Sequence, residues 1–230
     1  MAIIVIGVRR ARKRLAAAGV ELDAPERIHM VLAQSAMPAR VAAIFATESS
    51  ILYYALAVWR RSPFVPPRSQ AFSYHRRSGS LAILYAILGT SIIELTALDF
   101  LLRAHHPVAA NAFLFVDAFA VLWIFGYARA VQLRPILVTS DALLIRGGLQ
   151  WSLDVPRSAI ETIEVGRVRA PAKRTANYLR ATMGQPNALI TLTRPLVATG
   201  AYGVTRTVTR LGIFVDDPNT FSLALSPKRA

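Results

Sequence analysis

SLAILYAILGTSIIELTALDFLL (residues 80–102), RAHHP (103–107) and VAANAFLFVDAFAVLWIFGYARAV (108–131) together decide the fold of this chain. An α-helix rises about 1.5 Å per residue, so crossing the hydrocarbon of a bilayer takes roughly 20 apolar residues. Both apolar runs are that long, and the segment between them is too short to hold a folded unit. The pattern predicts a two-helix transmembrane hairpin over 80–102 and 108–131.

Composition agrees with lipid-facing surface. Charged residues make up 17% of the 230-residue chain, below the ~25% usual for globular domains. The net charge is +14, carried almost wholly by Arg, with only three Lys. A pI near 11.2 suits either nucleic acid or an anionic membrane surface. The second is favoured, because loops on the cytoplasmic side hold Lys and Arg against anionic lipid. No basic motif interleaved with aromatics marks a nucleic-acid module, so no nucleic-acid partner is expected.

Several chemistries find no carrier. The chain has no Cys, which excludes disulfides, thiolate nucleophiles and Cys-based metal sites. His29, His75, His105 and His106 show no ligand spacing, and two adjacent residues on a turn rarely converge on one metal. A phosphate-binding glycine loop and a Ser/His/Asp nucleophile pattern are missing too. The expectation is a non-enzyme with no catalytic residue, no metal and no cofactor.

The N-terminal region, 1–79, reads as helical and interfacial with a basic, Pro-rich loop. Residues 1–7 are apolar and the basic cluster of 9–14 follows them, the reverse of the order in a signal peptide. Two readings stay open: the end of a helix whose start lies upstream, or a short amphipathic anchor. Residues 11–19 read as helix. Asp23, Pro25 and Glu26 have the spacing of a capping box with Pro in the first turn. The helix they start runs to Trp59, with a break expected at Pro38. Its second half, 41–59, carries Glu48 and is Arg-flanked at both ends, so it reads as interfacial or packed on a bundle. Residues 60–79 read as a loop, since the Pro steps at 63, 66 and 67 force extended backbone. Arg60, Arg61, Arg68, Arg76 and Arg77 make this loop strongly basic. By the positive-inside rule it faces the cytoplasm with everything after 131, and the turn at 103–107 faces out.

After 131 the pattern becomes strand-like. Residues 135–139 and 142–146 read as strands about a Ser140-Asp141 turn, and Gly147-Gly148 makes the next turn. Residues 149–155 and 159–165 alternate apolar and polar. Residues 166–186 read as irregular or partly helical around 176–183. Residues 188–193 and 204–215 are further strands. Asp217 and Pro218 start a short closing helix. The expected class is an α+β membrane protein: N-terminal helices, the hairpin, then a small antiparallel β-barrel or sandwich over 132–230 with a C-terminal helix.

Residues 132–230 resemble a bacterial pleckstrin-homology-like domain appended to a transmembrane hairpin. The resemblance rests on the 135–146 strand pair, the Gly147-Gly148 step, the 153–163 passage and the 214–218 entry to the last helix. It implies a seven-stranded barrel-like fold capped by a helix, and no catalytic site.

Three groups of residues could carry a role. Glu94, Asp99 and Asp117 are ionisable residues inside spanning segments, which are costly and by default face a partner or water. Glu94 and Asp117 fall at one depth. They suit a proton or cation site, or an acid bonded to Thr90, Ser91 or Asn111 that holds the helices together. Tyr74, His75, Arg76 and Arg77 precede the first crossing at headgroup level, where Arg pairs with phosphate. Arg167, Arg169, Lys173, Arg174 and Arg180 form a basic excursion suited to anionic lipid. The expectation is a multi-pass protein of a bacterial inner membrane with a cytoplasmic domain. It acts as a scaffold or adaptor on anionic headgroups, on a membrane-protein partner or as a homo-oligomer. The alternative is a subunit of a transport or channel-like assembly using Glu94 and Asp117.

Overall fold

A computed structural model of the chain describes residues 23–226 except 36, 59–61, 170 and 172–174. The expectations for 1–19 lie outside these residues. Helix α1 (Ala24–Ala33) starts on the predicted capping box. The Asp23 carboxylate accepts from the Ala24 N–H at 2.7 Å, and Glu26 accepts from the Asp23 N–H at 3.1 Å. The chain breaks before Pro38, whose extended backbone opens α2 (Ala39–Leu56).

Helices α3 (Ser80–Arg103) and α4 (Pro107–Leu133) form the hairpin, with mean hydropathies of 1.9 and 2.1. Both are long and apolar enough to cross a membrane. Pro107 sits in the first turn of α4, where its missing N–H costs nothing. Only Ser80 and Leu84 of α3 are buried, while α4 is buried mainly from Gly126 to Leu133. Beyond that base the hairpin stands clear, exposing Ile93, Phe100, Val108 and Phe115 at 70–83%. From Pro107 to Ala120 the clear part of α4 is about 20 Å long, and residues 121–125 are half-buried against the domain.

Eight strands follow the order β1-β2-β3-β4-β7-β8-β6, with β5 paired to β7 off that path. They are β1 (Gln70–Phe72), β2 (Ile136–Val138), β3 (Ala142–Gly147), β4 (Trp151–Pro156), β5 (Ile160–Val165), β6 (Tyr178–Arg180), β7 (Ala188–Gly200) and β8 (Thr205–Ile213). Helix α5 (Pro218–Leu225) closes the chain, and the Asp217 carboxylate caps it by accepting from the Thr220 N–H.

The sheet differs from the expected antiparallel barrel or sandwich in three respects. It is an open, mixed sheet, because β6 runs parallel to β8. Residues 178–180 are this strand and not a helix: Tyr178 and Leu179 are buried beside β8, and Asn177 turns the chain with φ of 60°. The loop before the hairpin supplies a strand as well. Gln70 and Phe72 pair with Val138 and Ile136, because Phe72 has a core position to fill against Phe221, edge-on at 5.2 Å. Residues 62–66 lie in neither helix nor strand, as expected of a loop. In β7 the register shifts between Thr191 and Leu196, and Pro195 falls in that irregular stretch, where its missing donor breaks no ladder.

The core is shared between hairpin and sheet. Tyr127, Ala128 and Val131 of α4 pack in one cluster with Phe72, Tyr74, Leu143, Ile145, Ile190, Leu211 and Phe221. The predicted glycine turn explains itself here. Gly148 has φ of +58°, and a Cβ on Gly147 would meet the Ala181 carbonyl at 1.9 Å. A Cβ on Gly148 would stand 3.1 Å from Val131 Cγ2 of α4, so at these two positions the turn has little room for a side chain.

Candidate functional site

The densest polar constellation lies where α1, α2, the end of α4 and the sheet meet. Arg134 follows α4 directly and is 4% exposed. Its Nε donates to Asp23 Oδ2 at 2.9 Å and its Nη1 to the Gly148 carbonyl at 2.5 Å, with Glu26 Oε1 at 3.5 Å. Arg146 of β3 pairs with Glu26 at 2.9 Å. The Tyr54 hydroxyl of α2 donates to the Asp23 carboxylate at 3.3 Å. The acids of one helix cap are thus locked to two arginines far along the chain.

Burial sets the electrostatics. It disfavours the Arg134 charge, but Asp23, Tyr54 and Glu26 outweigh it and hold this pKa above the ordinary arginine value. Burial, helped by the Arg134 charge, lowers His29. Burial and then the Glu26 charge push Asp154 up, with Arg146 opposing. Burial also raises Tyr54 and Tyr74.

A cleft of about 510 Å³ opens over this cluster, walled by Met30, Leu144, Leu149 and Trp151 and carrying Glu26, His29, Arg134, Arg146, Ser152 and Asp154. Its size suits a small molecule. Arg146 Nη1 is buried and has no hydrogen-bond partner among the described residues. His29, Ser152 and Asp154 share the cleft, yet among the described residues no hydrogen bond joins any two of them. No group of three or more His, Asp or Glu among the described residues could hold a metal ion.

A second junction ties the foot of α3 to the domain. Asp216 is 9% exposed. It accepts from the Arg77 N–H at 2.7 Å and the Arg76 N–H at 3.2 Å, and Arg77 Nη1 returns a bond to its carbonyl. Burial pushes the Asp216 pKa up, but the bonds from Ser73, Arg77 and Arg76 prevail and hold it below the usual carboxylate range. His75 is lowered, chiefly by burial.

The residues predicted from sequence fall into separate places. Tyr74 is corrected: it is 1% exposed, and its hydroxyl accepts from the Gly148 N–H at 2.6 Å, so it serves the core and meets no headgroup. His75 is half-buried, while Arg76 and Arg77 are exposed. Arg167 and Arg169 are exposed and Arg180 is half-buried. Lys173 and Arg174 lie outside the described residues. Asp99 pairs with Arg103, the Arg103 Nε donating to Oδ2 at 2.9 Å. Glu94 is exposed and Asp117 half-buried, and no hydrogen bond joins them among the described residues.

Sequence reading found Asp23 and Glu26 as a helix cap but missed their ion partners. The one available signal was Arg134 itself, a single Arg between Leu133 and Pro135 where an apolar helix hands over to an apolar strand. Compared with protein-family models, with curated proteins and with solved structures, the chain matches none.

Proposed function

We propose that the chain is a non-enzymatic, membrane-tethered scaffold or adaptor. Its hairpin spans a bacterial inner membrane and its pleckstrin-homology-like domain sits on the cytoplasmic face. There the domain engages anionic headgroups or a protein partner. The observation that carries this reading is the shared core: Tyr127, Ala128 and Val131 of α4 lie in the same cluster as the sheet. A domain built onto the base of two apolar helices is held at the bilayer in one pose. The exposed Arg76, Arg77, Arg167 and Arg169 supply the attraction to anionic lipid, about 1 kcal/mol for each residue near the surface. The basic foot of α3 supports a cytoplasmic domain, since Lys and Arg are enriched on that side of a membrane.

The chain has no Cys, so single cysteines report cleanly. H105C is expected to react with a membrane-impermeant maleimide in intact cells, and S140C only after permeabilisation. Labelling of S140C in intact cells overturns the orientation. For the lipid contact, hydrogen exchange is compared in nanodiscs with and without phosphatidylglycerol. Added protection over 74–78 and 166–169 is expected, and equal protection in both removes the anionic-lipid role.

A further inference from the structure

The domain carries an apolar surface that its own core does not use. On α2, Val41, Ile44 and Phe45 are exposed at 37–55%. On the β7–β8 hairpin tip, Val197, Tyr202 and Val204 are exposed at 41–60%. The two patches adjoin. The Tyr202 N–H donates to Thr47 Oγ1 at 3.0 Å and its hydroxyl to Glu48 Oε1 at 2.9 Å. Gly203 lies so close to α2 that a Cβ there would stand 2.9 Å from the Ala43 Cβ. The Trp123 side chain of α4 reaches Tyr202 too.

That last contact fixes the level of the patch along the hairpin. From Pro107 to Trp123, α4 rises about 24 Å, some 6 Å short of the ~30 Å hydrocarbon thickness. A crossing hairpin therefore brings the inner hydrocarbon boundary about four residues past Trp123, near Tyr127. Tilt shortens the reach of the helices and moves the boundary further the same way. So does the exposed Asp99–Arg103 pair near the outer turn, which favours water over hydrocarbon. Whatever packs beside Trp123 lies within the bilayer margin. Trp and Tyr are the side chains enriched at that depth.

We infer that the outer face of α2 and the tip of the β7–β8 hairpin form an apolar collar seated in the leaflet from which the hairpin emerges. This rests on the reading of α3 and α4 as spanning helices. The collar makes the domain a third membrane contact, apolar in chemistry and distinct from the basic residues. It fixes the rotation of the domain about the hairpin, and α2 lies against lipid without crossing.

The test places a nitroxide label on V204C and on F45C in the full chain, reconstituted in phosphatidylcholine–phosphatidylglycerol liposomes. F115C reports the hairpin and S140C the aqueous side, and V197C repeats the reading for the strand tip. All these positions are exposed, so the fold tolerates the label. Collisions with oxygen are expected to exceed collisions with a water-soluble nickel chelate at 204, 45 and 115, with the reverse at 140. Nickel access at 204 and 45, with 115 still in lipid, overturns the collar and leaves the hairpin standing. Exclusion of both reagents at 204 and 45 marks a protein–protein contact and overturns it as well. Nickel access at 115 overturns the spanning reading itself, and the collar with it.

Discussion

Arg134 is the residue on which the most partners depend. Removing its charge leaves the buried Asp23 carboxylate without its ion partner, and breaking a buried pair from one side costs about 3–5 kcal/mol. Arg134→Met is expected to lower unfolding stability in detergent by that amount. Combining it with Asp23→Asn loses less than the sum, because the same pair is broken twice. Asp216 yields a pH prediction. Its folded pKa lies below the ordinary value, so its contribution is present above the unfolded value, near ~3.9. The contribution is lost as pH falls through the lower folded value. The stability difference between the natural chain and Asp216→Asn should therefore be constant near neutrality and shrink below about pH 4. Unfolding midpoints measured across that range check it, and a difference that grows on acidification refutes the assignment. Residue-scale legibility follows sequence distance. The Asp23–Glu26 cap was readable because both partners lie within one turn of helix. The bonds Arg134–Asp23 and Arg77–Asp216 close over 111 and 139 residues, and no local pattern announces them.

Helices and strands differed in how well they could be read. α3 and α4 were legible because length and apolarity alone mark a helix long and apolar enough to cross a membrane. The helix break at Pro38 and the capped starts of α1 and α5 were legible from caps and proline. β1 and β6 were not, since three residues carry too little periodicity to outvote a basic, proline-rich or irregular context. They are strands because an unpaired edge of β2 or β8 lies beside them. The packing of α2 on α4 rests on Gly126, where an added Cβ would sit 2.4 Å from the Ile51 carbonyl and 3.0 Å from the Ala55 Cβ. Gly126→Ala must force the two helices apart and should cost about 1–3 kcal/mol. The expected reading is a lower melting temperature in detergent, with unchanged helix content by circular dichroism before the transition. An unchanged melting temperature would show that α2 does not pack there.

At the scale of the molecule, the boundary drawn at 132 cuts through the core. The sheet takes β1 from before the hairpin, and the cluster takes Tyr74, Tyr127 and Val131 with it. Residues 132–230 produced alone should therefore stay unfolded or aggregate, exposing the edge of β2 and the floor beneath α4. The full chain in detergent should give dispersed amide spectra, and a well-dispersed spectrum from 132–230 alone would refute the shared core. Hydropathy and helix signals, which need only near neighbours, made the hairpin, the helix caps and the β-rich C-terminal region plain from the amino acids. The mixed sheet, the buried Asp23–Glu26–Arg134–Arg146 cluster, the cleft above it and the removal of Tyr74 from the headgroup layer arise from contacts between residues far apart in the chain. Such contacts form where the closed core leaves a partner and a space, and that arrangement exists only once the whole chain has folded around the base of the hairpin.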